Sequence, residues 1–275
     1  VDDILKKGQT VKAIIPVHYA GKSIDMQRVF ELADKFGFFV LEDAAHALES
    51  ESNIGKVGNT DHATAFSFYA NKNITTGGEG GALATNDGEL AEKVRKMSLH
   101  GMSKDGWKRF ETGGEWGYDI SQLGYKYNMT DISASFGLWQ LQFLEEWRIK
   151  RKEIVSIYQK ALSRIDGIKL PIESKPNIHA WHLFVIQIDP AQWQINRDEI
   201  IHKINKKGIG TSVHYKPVHM YSYYQKKYGF NSDDFPISKR LSGTSISLPL
   251  YPSLKNVEVN YIIHAISELW EQFQS

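Results

Sequence analysis

Residues 38–46 read Phe-Phe-Val-Leu-Glu-Asp-Ala-Ala-His, a short apolar run that stops abruptly at two adjacent acids. An amphipathic segment precedes this run, with apolar residues at helical spacing from Asp25 to Phe36 and a glycine at position 37. That spacing predicts a helix that ends at Gly37 and is followed at once by a buried strand. A helix that leads directly into a buried strand is typical of an α/β sheet.

The same alternation continues through the first half of the chain. Further strand-like runs occupy residues 13–19, 63–69 and 81–85, and a second helix is predicted to begin near Asp87. Short apolar strands that alternate with helices predict an α/β layer with a largely parallel sheet. Only about four strands can be counted, against the usual five or six. We therefore expect this chain to be the later part of a longer protein.

The second half of the chain has a different pattern of predicted elements. A stretch at residues 101–123 that contains glycine and tryptophan is interpreted as a long loop. A long helical region, which could be bent or interrupted, is predicted from Thr130 to about Arg164. Beyond it we predict a strand over residues 181–188, a helix over 197–207 and a closing helix over 257–273. The predicted domain boundary lies near residue 145.

Composition excludes several classes of protein. The 275 residues include 33 Lys+Arg and 32 Asp+Glu, a net charge of +1 that gives no reason to expect a nucleic acid or an acidic membrane as partner. There is no cysteine, which rules out disulfide frameworks and thiolate metal sites. No apolar run approaches the roughly 18 residues of a membrane span. We expect a soluble cytoplasmic protein, and the histidine spacing predicts no metal site.

Polar residues follow two of the predicted strands at the point where each strand ends. Asp43 and His46 come at the end of the second strand. The third strand contributes Ser67 near its end and is followed by Lys72, just before the glycine-rich turn at residues 77–81. In an open parallel sheet the carboxyl ends of the strands form the usual ligand site. An acid, an imidazole, a hydroxyl and a lysine suit a cofactor with a basic ring nitrogen, a phenolic oxygen, a phosphate and an aldehyde. Pyridoxal phosphate has all four groups.

Each of these residues taken alone also has an ordinary structural interpretation. Asp43 could cap a helix, His46 could be a packed side chain, and Lys72 could be one surface charge among many. It is their order along the chain that carries a resemblance.

The chain resembles the nucleotide-sugar aminotransferases of the DegT/StrS type, which are pyridoxal-phosphate enzymes of the aspartate aminotransferase fold type I. The segments that carry this resemblance are Glu42–His46, Ser67–Thr76 with the glycine turn, Gly124–Asp131, Gly210–His219 and Leu248–Pro252. The resemblance implies an α/β, three-layer fold-type-I large domain, incomplete at its N-terminus, in residues 1–145. It also implies a smaller C-terminal α+β domain in residues 146–275.

The resemblance implies a role for each residue at the strand ends. Lys72 would bind the cofactor covalently and then shuttle a proton, and Asp43 would pair with the pyridine nitrogen and keep it protonated. His46 would lie against the ring or contact its phenolic oxygen, and Ser67 would donate a hydrogen bond to the phosphate.

Two further groups of residues are implied with less direct matches. Lys126 and Asn128 lie in a segment that reaches the phosphate of a partner subunit in this family, which implies a homodimer. The common pattern there is Asn-Tyr-Arg, whereas this chain has Lys-Tyr-Asn. His214, Tyr215 and His219 would line the substrate side, or would simply pack within the small domain.

The implied reaction is transfer of an amino group, from L-glutamate as the expected donor, to a nucleotide-linked keto-sugar for amino-sugar biosynthesis. The product would serve a cell-surface polysaccharide or glycoconjugate. Lys72 argues against the related sugar dehydratases, which have histidine at that position. Two alternatives stay open, namely a non-catalytic or regulatory homologue and a nucleotide-binding α/β protein without pyridoxal phosphate. The sequence does not distinguish amination at C3 from amination at C4 of the sugar.

Overall fold

The computed structural model describes residues 1–102, 119–173 and 176–275. By their internal contacts these residues form two units, Val1–Leu144 with Lys175–Ala180 and Glu145–Ser174 with Trp181–Ser275. The predicted long loop at 101–123 falls mostly on residues 103–118, which lie outside the described residues. The predicted domains, 1–145 and 146–275, stay a prediction.

The first unit is built around a four-stranded sheet. Its helices and strands are α1 (Asp2–Lys6), β1 (Ala13–Ile14), α2 (Met26–Phe36), β2 (Phe39–Asp43), β3 (Glu51–Ser52), β4 (Gly55–Lys56), β5 (Ala63–Ser67), β6 (Gly81–Ala84), α3 (Gly88–Met97) and α4 (Asp131–Leu141). The sheet order is β1-β2-β5-β6, and β3 pairs with β4 in a separate hairpin. The pairs β1–β2 and β2–β5 are parallel, as predicted.

The last strand of this sheet runs the other way. β6 pairs with β5 antiparallel, with Ser67 opposite Gly81. The connection between them contains Gly77 and Gly78, whose φ angles of 89° and 148° are costly for other residues. The glycine turn therefore reverses the chain, so β6 returns alongside β5 and needs no helical crossover.

Helix α2 has the ends that its sequence predicts. The Asp25 carboxylate accepts a hydrogen bond from the Arg28 N–H at 3.3 Å, and Gly37 ends the helix with a φ of 70°. The helix buries one face against the start of the sheet. The buried residues of this contact are Met26, Ala33, Phe38 and Val40.

The second unit combines a three-stranded antiparallel sheet with helices. Its helices and strands are α5 (Leu144–Leu162), β7 (Ile168–Lys169), β8 (Phe184–Ile188), α6 (Arg197–Lys206), α7 (Ser222–Tyr228), α8 (Pro236–Thr244), β9 (Ser245–Leu248) and α9 (Asn256–Phe273), the first of which starts at the boundary between the units. The sheet order is β7-β8-β9. Its core is formed by aromatic and branched side chains, among them Tyr158, Leu162, Phe184, Ile186, Ile204, Ile246 and Ile266.

The predicted long helical region is interrupted. Helix α4 ends at Leu141 and α5 begins at Leu144, with a turn at Gln142 and Phe143 between them. The helices predicted at 197–207 and 257–273 agree with α6 and α9 to within one residue at each end. In the three described ranges, no helix combines the length and the apolar character needed to cross a lipid bilayer.

Residues 176–180 return to the first unit and extend its hairpin. Ile178 forms an antiparallel bridge with Glu51, with both backbone hydrogen bonds made, and the Ala180 N–H donates to the Gly21 carbonyl at 2.9 Å. This segment is distant in sequence from both partners, so no local pattern predicts the pairing.

Gly167 offers a test of packing in the second unit. Its carbonyl accepts a hydrogen bond from the Trp193 indole at 2.9 Å, and a Cβ added at Gly167 would collide with the rings of Trp193 and Trp270. We expect Gly167→Ala to lower the free energy of unfolding by about 1–3 kcal/mol, because a tightly packed site does not absorb an extra methyl group. Urea denaturation measures the change.

Gly243→Ala is the matched control. Gly243 lies in helix α8, is exposed, and has no neighbouring atom within 4 Å of an added Cβ. Alanine should there raise the free energy of unfolding by about 0.5–1 kcal/mol through helix propensity alone. Equal changes in the two variants would contradict the packing argument.

Candidate active site

Asp43 is the last residue of β2 and is held by two backbone hydrogen bonds to the neighbouring segment around Val17. Its N–H donates to the Pro16 carbonyl at 2.8 Å, and its carbonyl accepts from the His18 N–H at 3.0 Å. The half-buried side chain accepts a hydrogen bond from the Ala45 N–H at 3.1 Å. The carboxylate therefore lies at the carboxyl edge of the sheet with a restrained geometry.

Lys72 lies in the turn that follows β5, close enough to Asp43 for their charges to interact. Its N–H donates to the Tyr69 carbonyl at 2.9 Å, and its side chain is half-buried. Burial lowers the pKa of the Lys72 ammonium group, while the negative charge of Asp43 raises it to a lesser extent. The neutral, nucleophilic form of this amine is thus more accessible than in an exposed lysine.

His46 is buried beside the same strand end. Its Nδ1 accepts a hydrogen bond from the Ala20 N–H at 3.2 Å, and its ring lies 6.2 Å from the Tyr19 ring, centroid to centroid. Because Nδ1 accepts, the ring proton of the neutral imidazole is on Nε2. Any hydrogen bond that His46 donates must therefore come from Nε2.

Ser67 ends β5 and is half-buried. Its Oγ accepts a hydrogen bond from the Tyr69 N–H at 3.3 Å, which leaves the hydroxyl proton able to donate elsewhere. Ser67 and Asp43 thus end two adjacent parallel strands, as the sequence predicts.

The glycine turn after Lys72 has a structural reason of its own. A Cβ at Gly80 would collide with Thr76 Oγ1, and one at Gly81 would lie 2.6 Å from the Phe66 carbonyl oxygen. Gly81 is required by the close approach of β6 to β5, and Gly80 by the packing of Thr76 within the turn itself. Since the reading as a nucleotide-binding protein without pyridoxal phosphate rests only on this turn, that interpretation loses its support.

Sequence reasoning missed Gln140, which fixes the loop that carries Lys72. From helix α4, its Oε1 accepts from the Thr75 N–H at 3.1 Å and its Nε2 donates to the Thr75 carbonyl at 2.6 Å. The side-chain amide thus pairs with both backbone groups of one loop residue. A single glutamine in an apolar helix gives no signal of this contact.

A second anchor of the same loop was also missed. The Asn73 side chain donates a hydrogen bond to Glu49 at 2.7 Å, one residue after Lys72. Together Asn73 and Gln140 hold the part of the loop that directly follows the lysine.

Lys126 and Asn128 lie on a separate segment of the first unit. Lys126 is exposed and forms an antiparallel bridge with Leu99 beyond the end of α3. The Asn128 Oδ1 is buried and accepts no hydrogen bond from the residues that the structure describes. An amide oxygen and nitrogen are interchangeable in assignment, so this group is also a candidate donor.

The remaining candidates belong to the second unit. His214 Nδ1 is 2.7 Å from Ser247 Oγ on β9, and its ring contacts the exposed Tyr215 edge-on. His219 is buried, lies 3.3 Å from the Ser232 carbonyl oxygen through Nε2 and packs on Phe235. These contacts bury His219 within this unit, whereas Tyr215 presents its side chain to solvent.

A metal site is not evident in the described part of the chain. There, His, Asp and Glu side chains do not form a group of three or more that could hold a metal ion.

The chain is similar to a known protein of polysaccharide biosynthesis. The Bacillus subtilis spore coat polysaccharide biosynthesis protein SpsC is 44% identical over 259 residues, which are 94% of this chain and 66% of that protein. This chain therefore spans about two thirds of the length of that relative.

Solved structures agree at the level of the fold. Helicobacter pylori PseC, an aminotransferase involved in the biosynthesis of pseudoaminic acid, matches with a TM-score of 0.86 and 31% identity over 95% of this chain and 67% of that chain. Spr1654 from Streptococcus pneumoniae, in its PMP form, matches with a TM-score of 0.86 and 32% identity over 98% of this chain and 72% of that chain. These matches confirm the predicted α/β fold of the fold-type-I pyridoxal-phosphate enzymes.

A match to a family model covers most of the chain. A model of the DegT/DnrJ/EryC1/StrS aminotransferase family matches residues 5–267. The solved neighbours include both PLP and PMP forms, in line with a family that depends on pyridoxal phosphate. From the family match and these relatives together, the resemblance predicted from the strand-end motifs is confirmed, and this chain belongs to the DegT/DnrJ/EryC1/StrS aminotransferase family.

Proposed function

We propose that this chain catalyses the transfer of an amino group from L-glutamate to a nucleotide-linked keto-sugar, with pyridoxal phosphate as cofactor. The observation that carries the proposal is the half-buried Lys72, whose pKa is lowered by burial and which faces the charge of Asp43 at the carboxyl edge of the sheet. The proposal includes a cytoplasmic location, and it assigns cofactor binding to residues 1–145 and the small domain to residues 146–275.

The residues at the strand ends fit the chemical groups of the cofactor. A partly desolvated amine suits an aldehyde, and a carboxylate suits a ring nitrogen that must stay protonated. Ser67 has a hydroxyl proton left to donate to an oxygen atom, and the ring of His46 would lie against the cofactor ring or contact its phenolic oxygen. Bound there, pyridoxal phosphate would supply an electron sink that stabilises negative charge on a substrate carbon.

Lys72 would serve as both attachment point and proton carrier. Its lowered pKa keeps a larger fraction of Nζ neutral near neutral pH, and a neutral amine can accept a proton from a substrate carbon and return it. Asp43 would hold a proton on the ring nitrogen through its restrained carboxylate. Burial thus lowers the pKa of the Lys72 amine, while Asp43 contributes a negative charge of restrained position.

The phosphate would be held by the hydroxyl of Ser67 and by residues of a second subunit. Lys126 is exposed, and Asn128 carries a buried amide group whose oxygen lacks a partner among the described residues. An exposed cation is suited to a phosphate that arrives from outside the subunit, and Asn128 would donate to it through its amide nitrogen. The proposed assembly is a homodimer.

The substrate would be a sugar nucleotide destined for a surface glycan. Support comes from SpsC, which carries the name of a spore coat polysaccharide biosynthesis protein, and from PseC, which is involved in the biosynthesis of pseudoaminic acid. His214, Tyr215 and His219 are the proposed substrate-side residues, of which Tyr215 is the most exposed.

A panel of nucleotide-linked keto-sugars, each supplied with L-glutamate, tests the proposed function. Formation of 2-oxoglutarate together with an amino-sugar nucleotide would support it and would identify the sugar and the ring position. Binding of pyridoxal phosphate without amination of any panel member would instead favour the non-catalytic homologue.

Lys72 should carry the cofactor. We expect borohydride to reduce the bond between Lys72 Nζ and the cofactor aldehyde carbon, and peptide mapping to find the adduct on Lys72. Lys56→Ala, which removes an exposed lysine of the same unit, is the control and should keep the adduct. Finding the adduct on another lysine would refute the assignment.

Asp43→Asn should separate cofactor attachment from chemistry. The amide keeps the shape of the side chain but cannot hold the ring nitrogen protonated, so we expect attachment at Lys72 to persist and amino transfer to fall by about a hundredfold. Single-turnover kinetics with L-glutamate measures the rate. Glu79→Gln, an exposed acid in the adjacent turn, should leave the rate unchanged. A normal rate in Asp43→Asn would contradict the proposed role.

Mixed dimers should reveal a shared site. We expect a Lys72→Ala subunit combined with a Lys126→Ala/Asn128→Ala subunit to regain part of the activity, because a twofold dimer would then contain one site free of both changes. The measurement is activity of purified hybrids against each inactive parent. Absence of rescue would mean that the segment serves its own subunit.

A further inference from the structure

A buried polar cluster lies directly behind Asp43. It consists of His18, Glu42 and Thr64, whose exposed fractions are 0%, 2% and 0%. His18 Nε2 is 2.8 Å from Glu42 Oε2, and Thr64 Oγ1 donates to Glu42 Oε1 at 2.9 Å. Both oxygens of the buried carboxyl group are therefore engaged.

The hydrogen-bond pattern assigns the proton of His18. Its Nδ1 accepts from the Ile24 N–H at 3.3 Å, so the proton of the neutral ring is on Nε2, which donates to Glu42. Glu42 then accepts two hydrogen bonds, which is the arrangement of an ionised carboxylate. Each polar atom of the His18 ring and of the Glu42 carboxylate has a partner.

The three residues come from three adjacent stretches of backbone that also frame Asp43. Glu42 precedes Asp43 on β2, and Thr64 lies opposite Glu42 on β5. The backbone N–H of His18 donates to the Asp43 carbonyl at 3.0 Å. Since successive side chains of a strand point to opposite faces, Glu42 is bound behind the sheet while Asp43 faces the candidate site.

Packing alone does not require a carboxylate at this position. An apolar side chain of similar volume would avoid the desolvation cost of a buried charge, and such replacements are often neutral or stabilising. What an apolar side chain cannot do is hold two neighbouring backbone segments at once through directed hydrogen bonds.

We infer that Glu42 is a positioning residue that, through His18 and Thr64, fixes the end of β2 and thereby the direction of the Asp43 carboxylate. The inference rests on the proposed function, since it concerns the contact of Asp43 with the ring nitrogen of pyridoxal phosphate. The hydrogen bonds of the cluster itself involve only residues of this chain, so they can be tested without the cofactor.

Two substitutions at Glu42 separate this role from packing. In Glu42→Gln the side-chain oxygen can accept from His18 and the amide nitrogen can donate to the Thr64 hydroxyl, so both connections persist. Glu42→Met fills a similar volume but makes neither connection. Ser50→Ala is the matched control, because it removes a buried hydrogen bond of 2.7 Å, to the Gly21 carbonyl, elsewhere in the same unit.

The first measurement uses the protein without cofactor. Nitrogen-15 NMR of labelled histidines should show the hydrogen-bonded Nε2–H of His18 in the wild type, in Glu42→Gln and in Ser50→Ala. The signal should be lost in Glu42→Met. Should the signal be missing in the wild type, the cluster does not exist as described and the inference is overturned.

The second measurement is the pH midpoint at which the visible absorption of the bound cofactor changes. We expect Glu42→Met to shift this midpoint in the same direction as Asp43→Asn, and to add little when combined with Asp43→Asn. Glu42→Gln and Ser50→Ala should keep the wild-type midpoint. A wild-type midpoint in Glu42→Met, or a full additional shift in the double variant, would overturn the inference.

The design separates the two proposals. A wild type that binds pyridoxal phosphate but aminates no sugar nucleotide refutes the proposed substrate and leaves the midpoint comparison valid. A wild type with no cofactor absorption refutes both. If Glu42→Met does not fold, Thr64→Val removes one of the two connections, keeps the branched shape of the side chain and should give a smaller shift in the same direction.

Discussion

The parallel pairing of Phe39–Asp43 with Ala63–Ser67 is the constraint on which the first unit depends. With Glu42 opposite Thr64 and Asp43 opposite Ala65, both strands end at the same edge of the sheet. A shift of one residue would exchange the two faces, putting the carboxylate of Glu42 toward the candidate site and that of Asp43 into the interior. The strand register therefore decides which side chains face the candidate site, and the chemistry proposed for Asp43 and Lys72 requires this register.

Two opposing electrostatic effects meet at Lys72. Burial disfavours the ammonium form and lowers its pKa, and the Asp43 carboxylate partly offsets this by stabilising the charge. The larger effect is burial, and the loop that carries Lys72 is itself held by the contacts of Asn73 and Gln140. The reactivity of the amine is thus linked to how firmly the loop is attached to helix α4 and to the residues that follow β2.

Three polar side chains of this unit, one buried and two half-buried, play the same kind of structural role. Glu42, Gln140 and Asn73 each join segments that lie far apart in sequence, and each makes directed hydrogen bonds to its partners. Such groups are costly to bury unless they are satisfied. Their concentration behind and beside the strand ends suggests rigidity at the point where proton transfer would demand accurate geometry.

The sequence by itself determined the main helices and strands of the first unit, the strand-end residues and the family, whereas short elements such as β3 and β4 were not predicted. Apolar spacing, the Asp25 cap and Gly37 predict α2 because helix signals act over a few residues, and the ordered motifs around Asp43 and Lys72 carried the resemblance that the family match confirms. Tertiary structure alone decided the antiparallel return of β6, the pairing of Ile178 with Glu51 and the contact between Gln140 and Thr75. An apolar pattern predicts which face of an element is buried but not which distant segment covers that face. The residues around a polar side chain likewise do not predict which distant backbone group it will bind.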